Sequence, residues 1–372
     1  VAAVVGAVGI SLPASASAAP VRAVAHQKPT VVHRSAAGSG ARRPALPAGQ
    51  HYVCPEPSRA GQAECMSIIA TRPRGETGWV TPATASNSYG PNDLRSAYKI
   101  AKQAAAGGGG RTVAIVDAYK DPDAAANLAS YRKHFHLSAC TTANKCLKIV
   151  NQKGKTSPLP AANADWATEE SLDLDMVSAI CPRCHILLVE ATTNATSDLG
   201  AAEDTAVRLG ARYVSNSWSG GEFYGQDELD SDFNHPGDVI DFAAGDYGYG
   251  AAYPTDLQNV TAVGGTTLTH AKNKRGWSET VWGAANSATE GGTEGGCSVY
   301  EPKASWQYKF DNTEPDGCLN RIENDVSAEA NPNTGVLIYD TYKAPGLFEI
   351  GGTSAATPII TAIYALAGTP TR

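Results

Sequence analysis

Three short stretches of this sequence carry side chains that could do hydrolytic chemistry together. The first is Gly351-Gly352-Thr353-Ser354-Ala355-Ala356-Thr357-Pro358. Its glycines permit a tight turn, and the small residues open an apolar helix. A serine there has its hydroxyl at a helix N-terminus, where backbone N–H groups and the macrodipole favour developing negative charge. The same pattern also describes an ordinary N-cap serine. A nucleophilic serine needs a base. None of the eight histidines (His26, His33, His51, His134, His136, His185, His235, His270) opens a helix with Gly-Thr behind it.

The second stretch, Glu169-Glu170-Ser171-Leu172-Asp173, stands near a predicted helix start. Residues four apart share a helical face, so Glu169 and Asp173 point the same way. Two carboxyl groups that close share protons, because both cannot readily ionise. Glu169 could then take a hydroxyl proton and return it, with Asp173 orienting it. An acidic first turn that complements the helix dipole is the plainer reading. The third stretch is Phe242-Ala243-Ala244-Gly245-Asp246-Tyr247-Gly248. An Asp in a glycine-bounded turn is commonly a turn former. Held protonated, it could instead donate a hydrogen bond to an oxyanion.

The elements that must position these groups alternate. A β-branched run over 112–116 precedes a helical pattern over 122–135, and a second helical pattern over 165–179 precedes an apolar strand over 186–190. Ser197 or Asp198 can cap the next helix, which runs to Leu209 and stops at Gly210. Strands follow at 213–217, 239–243 and 260–263, and a last helix starts near Ser354. This order predicts an α/β fold with a mainly parallel central sheet flanked by helices on both faces. Ligands of such sheets bind beyond the carboxyl ends of the strands, and Asp117, Trp218 and Asp246 sit there. The stretch 269–342 is polar and turn-rich and predicts surface loops over a small extra sheet.

At the other end, an apolar run over 1–10 leads to the small-residue stretch 14–19, read as a secretory signal over 1–19 whose true start is missing. Residues 20–88 read as a basic linker or short pro-segment, or as an N-terminal extension, with one cysteine couple. Its first part carries Arg22, Lys28, Arg34, Arg42 and Arg43 and no acid before Gln50. Residues 89–372 form the folded domain. The eight cysteines fall as near neighbours: Cys54/Cys65, Cys140/Cys146, Cys181/Cys184 and Cys297/Cys318. With an export signal they read as four local disulfides. Cys181/Cys184 could otherwise be a redox pair or half a zinc site. The net charge of −7 argues against a nucleic-acid partner, and no later segment is apolar for long enough to cross a membrane.

Together, Glu169-x-x-Leu172-Asp173, the Gly245-Asp246 turn and Gly352-Thr353-Ser354-Ala355 with Pro358 resemble, in order and rough spacing, the hallmark motifs of the sedolisins, the serine-carboxyl peptidases. Similarity continues through 89–98, Ser215-Asn216-Ser217-Trp218, 253–265, 277–282 and Asp325-Val326-Ser327-Ala328, and so spans about residues 89–368. The resemblance implies a subtilisin-like fold with Ser354 as nucleophile and Glu169 as general base and acid. Asp173 would assist Glu169, and Asp246 would be the oxyanion-hole acid. It further implies that Asp117 continues the carboxylate chain and that Trp218 lines the substrate groove. Gly351 stands where the family usually has Ser, and 20–88 is shorter than the usual folded prosegment. The family's calcium site follows the nucleophile helix. This sequence ends at Arg372 before such a segment, so the metal ligands are unknown. The expectation is a secreted endopeptidase acting on proteins or peptides at acid pH, with no cofactor in the chemistry and a monomeric state favoured. The alternatives are a neutral subtilisin-like protease using His185 or another histidine, and a secreted protein that keeps the fold without turnover.

Overall fold

The computed structural model describes residues 43–71, 88–283, 291–309 and 318–368. The expected export signal lies outside them. The main sheet has eight strands. Across it run Trp277–Val281, Thr261–His270, Val239–Ala243, Tyr213–Asn216, Thr112–Ala118, His185–Ala191 and Leu147–Asn151, and Val326–Glu329 adds to the long Thr261–His270 strand. All pairings are parallel except that of Trp277–Val281.

The sheet is covered on both faces, as its alternation requires. Successive side chains of a strand point to opposite faces. Val113 and Ile115 enter one apolar core, with Leu172, Val177 and Ile359 from the helices Ala164–Ile180 and Thr353–Ala367. Ala114 and Val116 enter the other, with Leu199, Ala202 and Ala206 from the helix Thr196–Arg208. The expected α/β architecture is therefore the observed one.

Several local expectations change. Neither Ser197 nor Asp198 caps Thr196–Arg208; Ala195 holds the cap position, and Asp198 instead accepts hydrogen bonds from Gln152 and Thr193. The strand expected over 260–263 extends to His270 because successive parts find different partners: Val239–Ala243, then Val326–Glu329, then Trp277–Val281. The polar 269–342 stretch thus supplies two strands of the main sheet as well as surface structure.

Residues 43–71 are no appendage. Gln50–Tyr52 pairs with Ile68–Ala70, which pairs with Gly346–Gly351 leading into the Ser354 turn. Glu64–Cys65 pairs antiparallel with Trp218–Gly221.

The four expected disulfides are present: Cys54–Cys65, Cys140–Cys146, Cys181–Cys184 and Cys297–Cys318. The bond between Cys181 and Cys184 closes a turn after the Ala164–Ile180 helix, so the zinc alternative for that pair fails. Cys140 is fully buried, whereas Cys146 is only half-buried at the entry to the edge strand Leu147–Asn151. There the Cys146 carbonyl accepts the Ile186 N–H at 2.7 Å, at the amino end of the sheet. Cys140 and Cys146 therefore staple a loop at the opposite end from the strand termini where ligands bind, and neither is a site residue.

Candidate active site

The Ala164–Ile180 helix starts where Asn163 Oδ1 accepts the N–H groups of Asp165 at 3.0 Å and Trp166 at 3.2 Å, an N-cap. Glu169 therefore lies in the second turn, beyond the unpaired N–H groups, and the plain dipole-complementing reading fails. The helix is buried from Trp166 to Ile180, and Glu169, Glu170 and Asp173 are fully enclosed.

The Thr353–Ala367 helix begins after Gly352, whose φ of +99° suits glycine. Ser354 is its second residue and fully buried, and it is not the N-cap. Its Oγ donates to the carbonyl of Ser217 at 2.9 Å. Pro358 lies inside the helix and has no N–H for the Ser354 carbonyl four residues back. That carbonyl instead faces the Ser217 hydroxyl at 3.3 Å, and the same hydroxyl lies 2.7 Å from Asp173 Oδ1. One hydroxyl proton cannot serve both. A protonated Asp173 resolves this by donating to Ser217 Oγ while Ser217 donates to Ser354 O. Burial, followed by the charges of Asp117 and Glu169, raises the Asp173 pKa well above the carboxylate range.

The chain of acids continues. Burial, with the Glu169 and Glu190 charges, raises Asp117 strongly. Asp117 and Glu190 are paired across adjacent strands at the carboxyl end of the sheet. Burial pushes Glu169 up to about 8, and the facing hydroxyls of Ser354 and Ser67 pull it back while the Asp246 charge adds to the rise. Those hydroxyls are near but not aligned: both Glu169 oxygens lack a hydrogen-bond partner among the described residues. Glu190 is pushed up to about 8, chiefly by burial. It was hidden in the sequence as the polar end of an apolar strand; its signal is the register with Asp117.

Asp246 approaches from the other side. Its Oδ1 accepts both the Thr353 N–H and the Thr353 hydroxyl at 2.8 Å, which ties its turn to the start of the Ser354 helix. Its Oδ2 has no partner among the described residues and faces Gly352, where a Cβ would lie 2.7 Å from it. Burial pushes this carboxyl up to about 7, against the two Thr353 hydrogen bonds. Ser354, Glu169, Asp173, Asp117 and Asp246 thus form one buried assembly.

No histidine among the described residues belongs to it. None contributes to the shifts of Glu169, Asp173, Asp117 or Asp246. His185 is exposed and pairs with Thr112 at the amino end of the sheet, five residues from the Glu190–Asp117 level, roughly 16 Å away. His270 stacks on Trp277, and His235 contacts Asp232 and Asp204.

A sequence model described as the subtilase family matches residues 161–369, more than half of the chain. The chain belongs to the subtilase family. Within that family it is similar to sedolisin of Pseudomonas sp. (strain 101), 40% identical over 119 residues, which are 32% of this chain and 19% of that protein. The aligned stretch therefore spans about a fifth of the curated relative's length. The solved Pseudomonas sedolisin, described as a serine-carboxyl proteinase in complex with two molecules of pseudo-iodotyrostatin, superimposes with a TM-score of 0.62 at 25% identity, over 75% of this chain and 80% of that one. The sedolisin-like subtilase fold is the setting of the carboxylate–serine assembly.

One expected residue is placed differently. Trp218 does not line a groove with its side chain: the indole is fully buried, donates to the Val116 carbonyl at 2.8 Å and packs edge-on against Phe233 and Phe242. Its backbone pairs with Cys65 through the strand Trp218–Gly221. For the calcium that the family resemblance implies, no group of three or more His, Cys, Asp or Glu among the described residues fits a metal ion, and no ligand is assigned. Among the described residues no helix is long and apolar enough to cross a membrane.

Proposed function

We propose that this subtilase is a serine-carboxyl endopeptidase that hydrolyses proteins at acid pH through an acyl-enzyme on Ser354. The observation that carries the reading is the burial of Ser354, Glu169, Asp173 and Asp246 in one assembly with no imidazole from the described residues. Ser354 Oγ turns from Ser217 O toward Glu169, gives up its proton there and attacks the scissile carbonyl. Asp173, held by Ser217, keeps the Glu169 side of the cluster singly charged. The developing oxyanion lies between the Ser354 N–H, a donor with no partner inside its own helix, and protonated Asp246 Oδ2. Glu169 then returns the proton to the leaving amine, and water completes the cycle. Asp246 donates only while protonated, and Glu169 accepts only while the Glu169–Asp173–Asp117 group of acids holds one negative charge, so Asp246 sets the alkaline limb and that group sets the acid limb.

Four disulfides fit an oxidising compartment, which supports export. Casein cleavage between strongly acid and neutral pH tests the function. Ser354→Ala and Glu169→Gln should abolish it, and replacing each histidine should leave it. Activity that survives Ser354→Ala, or appears only at alkaline pH, contradicts the reading.

A further inference from the structure

Burial is inverted on one face of the molecule. In the segment 222–226 and the strand Cys297–Pro302, the polar side chains Glu222, Gln226, Ser298 and Glu301 are buried. The large apolar ones, Tyr224, Val299 and Tyr300, are 87%, 54% and 42% exposed. Folding alone favours the opposite arrangement, since a buried polar group needs a partner and an exposed apolar one forgoes its transfer energy. Exposed apolar residues scattered singly are ordinary; three on one rigid base mark a contact surface.

Hydrogen bonds fix that base and turn the apolar side chains outward. The Glu222 carboxylate accepts the Ser298 hydroxyl at 2.5 Å and the N–H groups of Val299 at 3.0 Å and Tyr300 at 3.4 Å. Ser298 Oγ in turn accepts the Tyr300 and Glu301 N–H groups at 3.1 and 2.8 Å. With their main chain drawn inward, Val299 and Tyr300 are left with side chains in solvent. Gln226 ties the two segments together: its amide accepts the Phe223 N–H at 3.0 Å and donates to Glu301 at 3.2 Å. Phe223 packs edge-on against Tyr253, and Tyr224 beside it faces solvent before Gly225 turns the chain at a φ of +86°.

A cavity of about 460 Å³ links this face to the nucleophile. Met66, Gly220, Gly221, Glu222 and Ala252 are among its lining residues, and the Met66 carbonyl accepts the Ser354 N–H. From Ser217, whose carbonyl accepts the Ser354 hydroxyl, the strand Trp218–Gly221 leads to Glu222, roughly 16 Å of extended chain.

We propose that Tyr224, Val299 and Tyr300 form a remote contact surface for an apolar stretch of the protein substrate, several residues away from the bond that is cut. This rests on the peptidase reading and adds where a long substrate is held. The occupant is the substrate because the cavity joins this face to the reacting atoms. A chain extended from the scissile bond, at about 3.3 Å per residue, arrives there after about five residues. The matching side chains are apolar, because the face offers two Tyr rings and a Val side chain while Glu222 and Glu301 spend their oxygens on internal hydrogen bonds. Apolar contact does not titrate, so it keeps its strength at acid pH, where ion pairs with carboxylates fade. Short peptides never reach the surface and gain nothing from it.

The test uses internally quenched peptides built on one sequence taken from a mapped casein cleavage, assayed at pH 4. A short form keeps three residues on each side of the scissile bond. Long forms add five residues to one side or the other, ending in Leu-Tyr-Leu or in Ser-Gly-Ser. The expected result is a kcat/KM about tenfold higher for the apolar long form on one side, chiefly through KM, with no gain from the polar form. The triple variant Tyr224→Ser, Val299→Ser, Tyr300→Ser should lose that gain, cut the short peptide at the wild-type rate and keep the wild-type Tm. No length gain in wild type, or a gain that survives the triple variant, overturns this inference and leaves the peptidase reading standing. Equal losses on short and long peptides assign the three residues to the fold and overturn it as well. A wild-type dimer in sedimentation that the variant makes monomeric, with the length gain intact, gives the face to a second copy of the chain instead. A folded wild type that cuts neither peptide nor casein overturns both.

Discussion

Replacing Asp246 separates its two jobs. Its Oδ1 anchors Thr353, and its Oδ2 is the free donor. Asp246→Asn can keep the anchor through Oδ1 and set an amide N–H where Oδ2 stood, a donor that does not titrate near neutrality. Asp246→Ala removes both. With the carboxyl pushed up to about 7, the part of wild-type kcat/KM that depends on this donor should fall about tenfold for each pH unit above that value, as it ionises. At pH 8 the loss is about tenfold, or ~1.4 kcal/mol of barrier. Asp246→Asn should lose that limb and hold its rate through neutrality until another group ionises. Asp246→Ala should lose about 100- to 1000-fold even at acid pH, the usual worth of one oxyanion donor. The assay is kcat/KM on a fluorogenic peptide from pH 3 to 8. An unchanged alkaline limb in Asp246→Asn, or only a few-fold loss in Asp246→Ala at pH 4, refutes the assignment of Asp246.

Three further outcomes follow from the same geometry. Glu169, Asp246, Glu190, Asp241, Glu203 and Glu323 are all pushed to about 7 or 8. The native state therefore binds more protons than the unfolded chain above about pH 4, and stability should fall as pH rises from there through 8, by up to a few kcal/mol per group; denaturant midpoints that rise over this range contradict it. Gly352→Ala puts a Cβ against Met66 O in a backbone conformation with φ of +99°, and should cost about 2 kcal/mol or more, read as a lower Tm. Trp218→Phe removes the hydrogen bond to Val116 O and should cost about 1–2 kcal/mol by denaturant titration while leaving peptide preference unchanged; a changed preference would return the indole to the groove.

The parts of this molecule legible in the sequence are those where local pattern and global role agree. The parallel strands were readable because burial on both faces leaves near-continuous apolar runs, as at 112–116 and 186–190. Ser354, Glu169 and Asp246 were readable as a set, although each alone had an ordinary explanation. What stayed hidden depends on partners distant in the chain. Val326–Glu329 is four residues long and becomes a strand only against Val263–Thr266. Trp218 sits in a motif beside the cleft, but its rotamer turns it inward to Phe242. Residues 62–67 carry no periodicity, because a strand held in a cleft by main-chain hydrogen bonds needs none.

The central claim is that a serine hydroxyl is activated by carboxyl groups. Its most direct test is covalent labelling at acid pH with a fluorophosphonate, followed by peptide mapping. The account predicts a single adduct on Ser354, lost in Glu169→Gln and retained when every histidine is replaced. An adduct on a different residue, or labelling that disappears with one histidine, contradicts it.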